Sequence, residues 1–117
     1  MDLSRIAQQQ IMADFRRGFS NEVQSDAERI EQLTRDTVGL AGEVGEFANL
    51  LKKVDLASRV EGYDAPSLGV ASAALREELA DALIYIFRLS NALGGDIEED
   101  VLKKMMKNDE RYHHLEK

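Results

Sequence analysis

Two stretches decide the reading of this chain: GLAGEVGEFANLLKK at residues 39–53 and ALREELADALIYIFRL at residues 74–89. Each sets two acids three positions apart within an apolar helical pattern, Glu43 and Glu46 in the first, Glu78 and Asp81 in the second. Side chains at that spacing share one side of an α-helix. On a helical wheel Glu43 falls among Leu40, Phe47, Leu50 and Val54, where a lone charge is costly. Two carboxylates held close also oppose each other's ionisation unless something positive intervenes. A hard divalent cation does so, because Mg2+ takes oxygen ligands and is commonly shared between protein carboxylates and substrate phosphates. The duplicated pair in apolar surroundings therefore points to metal-assisted phosphate chemistry. Acidic pairs on a solvated face need no such reason, and Glu28 and Glu31 read that way; helix capping is enough for residues 98–100.

Working outward, one proline in 117 residues and abundant Ala, Leu, Glu and Lys favour helix almost throughout. A first helix is expected over roughly 2–17 on a weak stripe of Leu3, Ile6, Gln10, Ala13 and Arg17, with a turn region over 18–25. A second runs from about 26 to 58, capped by Ser25 or Asp26, with Ile30, Leu33, Val38, Leu40, Val44, Phe47, Leu51 and Val54 as core positions. Gly39, Gly42 and Gly45 weaken its helix propensity. Their turn-by-turn spacing would let another helix approach near Glu43 and Glu46. Residues 59–69 hold Gly62, Asp64, Pro66, Ser67 and Gly69 and read as a loop. A third helix over about 70–93 carries Leu75, Leu79, Ala82, Leu83, Ile86, Leu89 and Leu93, and Gly94 and Gly95 end it. Asp96 with Glu99 makes a capping box for a fourth helix that runs to about residue 112, anchored by Val101, Leu102, Met105 and Met106. The expected architecture is an all-α four-helix bundle in a single domain, 1–117. Ile84 and Phe87 lie off the main stripe of the third helix, which makes self-association the natural outlet for its excess apolar surface.

The bulk properties set limits. With no cysteine, disulfides and thiolate metal sites are excluded. No apolar run is long enough to span a membrane, and MDLSRIAQQQ lacks the apolar core of a secretion signal, so a cytoplasmic location is expected. The formal charge of −7 opposes binding to nucleic-acid polymers, which relies on Lys and Arg neutralising phosphate. Small phosphate ligands remain compatible if a divalent metal supplies the positive charge.

The fourth helix carries a complementary row. Lys104, Asn108 and Arg111 recur along one side, with Tyr112 beside them. Lys and Arg neutralise outer phosphates, Arg through a bidentate fork, and Asn108 suits a phosphate or a sugar hydroxyl; the alternative is an ordinary charged surface. Arg88 lies on the side of Asp81 and is placed to brace the acidic cluster. Phe15, Phe19 and Tyr85 are candidates for base stacking, against the alternative of core packing. His113 and His114, at the end of the chain, read as solvated.

The ordered set GLAGEVGE, EELADALIYIFRL and VLKKMMKNDERY resembles the MazG-like family of all-α nucleoside triphosphate pyrophosphohydrolases, closest in pattern to its dCTP pyrophosphatase branch. The resemblance covers about residues 38–112. It implies hydrolysis of a (deoxy)nucleoside triphosphate between the α and β phosphates, giving monophosphate and pyrophosphate. It further implies Mg2+, with Mn2+ as a substitute, held by Glu43, Glu46, Glu78 and Asp81, and substrate contacts from Lys104, Asn108, Arg111 and Tyr112. Active sites in the family form between helices of a homodimer or tetramer. Two departures bear on base preference: this chain has no tryptophan, whereas many relatives carry one near the N-terminus, and His113 stands where relatives often have proline.

The corresponding chemistry is direct attack of a water on the α-phosphorus. Glu46 or Glu77 accepts its proton, and Lys104 and Arg111 stabilise the departing pyrophosphate. The same metal logic would serve a phosphoribosyl-ATP pyrophosphohydrolase or a dimeric dUTPase-like enzyme. A non-enzymatic helical interaction module would account for the acidity and the apolar third helix, but not for Glu43 in an apolar stripe.

Overall fold

A computed structural model describes residues 1–19 and 23–117. The expected turn over 18–25 therefore lies partly outside the described residues. Four α-helices follow in order: α1 Leu3–Arg16, α2 Asp26–Arg59, α3 Leu68–Ala92 and α4 Ile97–Tyr112, closed by a short 3₁₀ turn, His113–Leu115. The described residues contain no strand. The all-α reading holds.

Each helix starts where a side chain replaces a missing backbone acceptor. Asp2, Ser25, Ser67 and Asp96 accept from the backbone N–H of Arg5, Glu28, Val70 and Glu99 respectively. Ser67 explains why α3 begins at Leu68 rather than near residue 70, since Gly69 is tolerated in a first turn already capped. At the other end of α3, Gly94 takes φ +73°, the left-handed conformation that stops a helix. Glu98, expected to serve its own helix, instead reaches α1. Its Oε1 accepts from Leu3 N–H at 3.0 Å, and its Oε2 and the Asp96 carboxylate accept from Ser4 Oγ–H. The start of α4 is thereby tied to the start of α1.

The long pair α2 and α3 forms the frame. Val54 packs with Ala71 and Leu75, with Phe47 and Leu50 against them; Tyr85 meets Gly39, and Arg88 meets Asp36. Contacts that advance along α3 while retreating along α2 define an antiparallel hairpin. Helix α1 covers the opposite side of α3, so Phe87, expected off the core stripe, is buried at 3% exposure. No described helix is long and apolar enough to cross a membrane.

Several expected core positions are not core in one chain. Ile30, Val38, Val44 and Leu51 of α2, Leu79, Leu83 and Leu93 on or next to α3, and Val101, Leu102, Met105 and Met106 of α4 are all exposed. The apolar periodicity marks them for burial, but among the described residues α4 packs mainly on α1 and its own 3₁₀ turn, with no comparable packing on α2. The radius of gyration, 18.3 Å, exceeds the roughly 13 Å expected of a compact domain of this length. The accessible surface of 8885 Å² similarly exceeds the roughly 6,400 Å² typical for this mass.

Candidate functional site

Glu43, Glu46 and Glu78 converge midway along the α2–α3 hairpin, each offering a carboxylate oxygen within 4.8 Å of the others. Helical spacing puts Glu43 and Glu46 on one side of α2, and the antiparallel register brings Glu78 opposite them. Glu46 is exposed, while Glu43 and Glu78 are half-buried. Glu43 Oε2 and Glu78 Oε2 are withdrawn from solvent and have no hydrogen-bond partner among the described residues. As carboxylates they can only accept, so each faces another acceptor. Protonation of Glu78 supplies the missing donor. Its carboxyl is accordingly pushed up to about 7, first by the hydrogen bond it then makes to Glu43, next by desolvation, and third by Glu46.

This donor set fits a hard divalent cation: three oxygen ligands, like-charged, two of them carrying buried atoms without a partner. Asp81, one turn along α3 from Glu78, stands outside the close triad and lines the adjoining cavity beside Glu43. Glu77 points to solvent.

The cavity, about 710 Å³, runs from Glu43 and Asp81 past Ile84 and Tyr85 to Phe19, Gln32, Arg35, Asp36, Asp14 and Arg88. Of the three aromatic candidates, Phe19 and Tyr85 line it and Phe15 does not; Phe15 and Phe19 are equally exposed. Gly39 permits this wall. A Cβ there would collide with the Tyr85 ring, and would lie 2.8 Å from its hydroxyl oxygen. Gly42 and Gly45, expected to admit a neighbouring helix as well, have nothing within 4 Å of such a Cβ.

Arg88 engages a second pair of acids, Asp14 and Asp36. Its Nη1 donates to Asp14 Oδ2 of α1 at 2.9 Å and to the Phe19 carbonyl at 3.1 Å, and its Nε donates to Asp36 Oδ1 of α2 at 3.0 Å. Gln10 and Gln32 donate to the remaining oxygens of Asp14 and Asp36. This buried polar junction of α1, α2 and α3 was missed from sequence. No local pattern marks it: Asp36, for example, lies between Arg35 and Thr37, as a solvent-facing acid would.

The basic row of α4 lies elsewhere. Lys104, Arg111 and Tyr112 are exposed and Asn108 half-buried, the Arg111 guanidinium lies 5.2 Å from the centre of the Tyr112 ring, and none of the four lines the cavity. His113 is exposed and paired with Glu116 at 3.3 Å, and His114 is exposed.

Comparison with known proteins places this architecture. The profile of the MazG-like family matches residues 43–117. The chain is 32% identical over 110 residues to mouse (Mus musculus) dCTP pyrophosphatase 1, covering 92% of this chain and 62% of that protein. It is 38% identical over 88 residues to the human (Homo sapiens) protein of that name, covering 74% of this chain and 49% of that protein. The chain thus spans about half to three-fifths of the length of these curated relatives. No solved structure is a significant match. With a family profile covering the acidic triad, the cavity's α3 wall and all of α4, this chain belongs to the MazG-like family.

Proposed function

We propose that this protein is a nucleoside triphosphate pyrophosphohydrolase that uses Mg2+, or Mn2+ in its place, to release pyrophosphate from a (deoxy)nucleoside triphosphate and leave the monophosphate. One observation carries the reading: a carboxylate triad with buried, partnerless oxygens on Glu43 and Glu78, opening into a cavity of nucleotide size. Family membership and the dCTP pyrophosphatases among the relatives support the reaction class.

Glu43, Glu46 and Glu78 would hold the metal, with Asp81 the fourth acid at the cavity mouth. Bound there, Mg2+ supplies Lewis-acid polarisation of phosphate oxygens and lowers the pKa of a coordinated water. Glu46, on the solvent side of the triad, or Glu77 beside it accepts the proton of the attacking water. Tyr85 and Phe19 provide apolar faces for the base along the cavity.

Lys104, Asn108, Arg111 and Tyr112 contribute through self-association. The excess of roughly 2,500 Å² of surface over a typical monomer, with the exposed apolar residues of α4 and α2, supports a homodimer or tetramer of the size class of permanent interfaces. In that assembly α4 of a second copy sets its basic row against the triad, where Lys104 and Arg111 bind the departing pyrophosphate.

The test is direct. Purified protein with Mg2+ is given each common dNTP and NTP separately and the products identified. Monophosphate plus pyrophosphate is expected. Absence of turnover with every nucleotide, together with Mg2+ binding unchanged by Glu43→Ala and Glu78→Ala, overturns the reading.

A further inference from the structure

Helix α1 is thinly packed, and polar groups fasten its end. Within it only Ala13 and Asp14 are buried, while Ile6, Met12 and Phe15 are exposed. Its middle spans a cavity of about 250 Å³ lined by Ala7, Ile11, Met12, Phe87 and Ile97, where a filled core would otherwise fix the helix. The end of the helix is fastened by an ion pair. Arg88 Nη1 donates to Asp14 Oδ2 at 2.9 Å, and the two side chains are only 13% and 8% exposed. A hydrogen bond between opposite charges is about twice as strong as a neutral one, and here little water competes for it.

The same arginine reaches past the end of α1. Gly18 takes φ +78°, its N–H donates to the Phe15 carbonyl, and the Phe19 N–H donates to the Asp14 carbonyl at 2.7 Å. This is the Schellman pattern of a helix stop. Arg88 Nη1 donates in turn to the Phe19 carbonyl at 3.1 Å. Asp14, Arg88 and Phe19 thus close a ring. The Asp14 main chain holds one backbone group of Phe19, and the Asp14 side chain holds the arginine that holds the other. With both groups fixed, the Phe19 side chain still lines the substrate cavity and stays 61% exposed. A ring that open adds little to the fold by burial, so the anchoring serves the cavity it lines.

We propose that Asp14 and Arg88 are positioning residues for the nucleotide: their ion pair docks the end of α1 on α3 and so sets Phe19 as the outer wall of the cavity, against the face of the base. This inference rests on the pyrophosphohydrolase reading. Stacking on an aromatic ring tolerates any base, because every base has a π-face; the wall therefore contributes affinity and placement rather than choice of base. The acidic triad is carried by α2 and α3, which pack on each other through Val54, Ala71 and Leu75. Loosening the end of α1 should weaken the hold on the base and leave the metal and phosphate end as it is.

The experiment measures KM and kcat, with Mg2+, for each dNTP that is turned over, on the full chain and on D14A, D14N, F19A and D14A/F19A. It also measures the competitive Ki of inorganic tripolyphosphate, which has phosphates and no base. In D14A, Arg88 keeps Asp36 as its partner, so the α2–α3 frame retains its ion pair. D14A and F19A should each raise KM roughly 5- to 100-fold, with kcat and the tripolyphosphate Ki little changed. The double variant should be no worse than F19A alone, because residues that act through one another do not add. D14N, whose amide oxygen still accepts from Arg88, should keep KM nearer the wild-type value than D14A does. A general loss of stability would instead lower kcat, through the fraction folded, and leave KM alone. A KM unmoved by D14A or by F19A, or effects of the two that multiply in the double variant, overturns this proposal and leaves the pyrophosphohydrolase reading standing. A wild type that hydrolyses no nucleotide overturns both.

Discussion

The Tyr85 ring lies directly against the backbone of Gly39, in the space a Cβ would occupy. This contact sets the cavity wall between the acidic triad and the Asp36–Arg88 pair, and it makes glycine a condition of the wall rather than of the helix. The atoms met are the far end of a side chain, so Gly39→Ala displaces the ring while α2 gains about 1 kcal/mol of helix propensity. Thermal unfolding of G39A should accordingly stay within about 1 kcal/mol of wild type, while KM for the nucleotide rises. In a Y85A background the clash is gone, so adding G39A should stabilise by about 1 kcal/mol. A further loss of stability in that double variant would show that something other than Tyr85 occupies the space.

The elevated carboxyl of Glu78 couples stability to pH. A group whose folded pKa lies above its unfolded value stabilises the fold below the unfolded value, here 4.5, and loses that contribution as pH rises through about 7. Without divalent metal the melting temperature should therefore fall across that interval, and Glu78→Gln should flatten the fall. Metal must displace the same proton. Mg2+ is thus expected to raise the melting temperature more at about pH 8 than at about pH 5.5. Equal effects at the two pH values would rule out Glu78 as the proton-linked ligand.

Arg88 holds two buried carboxylates from two other helices. Arg88→Met leaves both without their cation and should cost about 3–5 kcal/mol in urea unfolding. Neutralising the carboxylates in the same chain, as R88M/D14N/D36N, should restore a large part of that loss. If the triple variant is as unstable as R88M, the penalty comes from lost packing rather than from buried unpaired charge.

Substitutions in the proposed metal and phosphate groups should separate by role. Glu43→Ala and Glu78→Ala are expected to lower kcat by at least about 10²-fold, with Glu77→Ala smaller if Glu46 is the base. Lys104→Ala and Arg111→Ala should also lower activity, although neither residue lines the cavity of its own chain. Mixing E78A with R111A after dissociation and reassembly should give a rate above that of either variant alone, because some sites then pair an intact triad with an intact α4. No recovery in verified mixed oligomers would place Arg111 in the same chain's site.

Much of the fold follows from local rules visible in the chain. Ser25, Asp96 and Gly94 mark helix ends through capping and backbone conformation, and the period of apolar residues fixes which segments are helical. The pairs Glu43/Glu46 and Glu78/Asp81 could be singled out because a carboxylate in an apolar stripe conflicts with burial. The Asp14–Arg88–Asp36 junction could not, since its partners are 52 and 74 residues apart and a charged residue in isolation reads as solvent-facing. Val38, Val44, Met105 and Met106 show the converse. Their apolar character signals burial, but sequence periodicity carries no information on whether the covering surface comes from the same chain.

The sequence by itself determined the helices, their ends and the acidic pairs, because these depend on interactions within a few residues along the backbone. Only the tertiary structure decided which acids meet, with Glu78 joining Glu43 and Glu46 while Asp81 stands at the cavity mouth. It also decided that Tyr85 rests on Gly39, that Arg88 turns to Asp36, and that α4 lies away from the triad in its own chain. Those outcomes depend on the antiparallel register of α2 and α3, which is set by side chains remote in sequence packing across the hairpin.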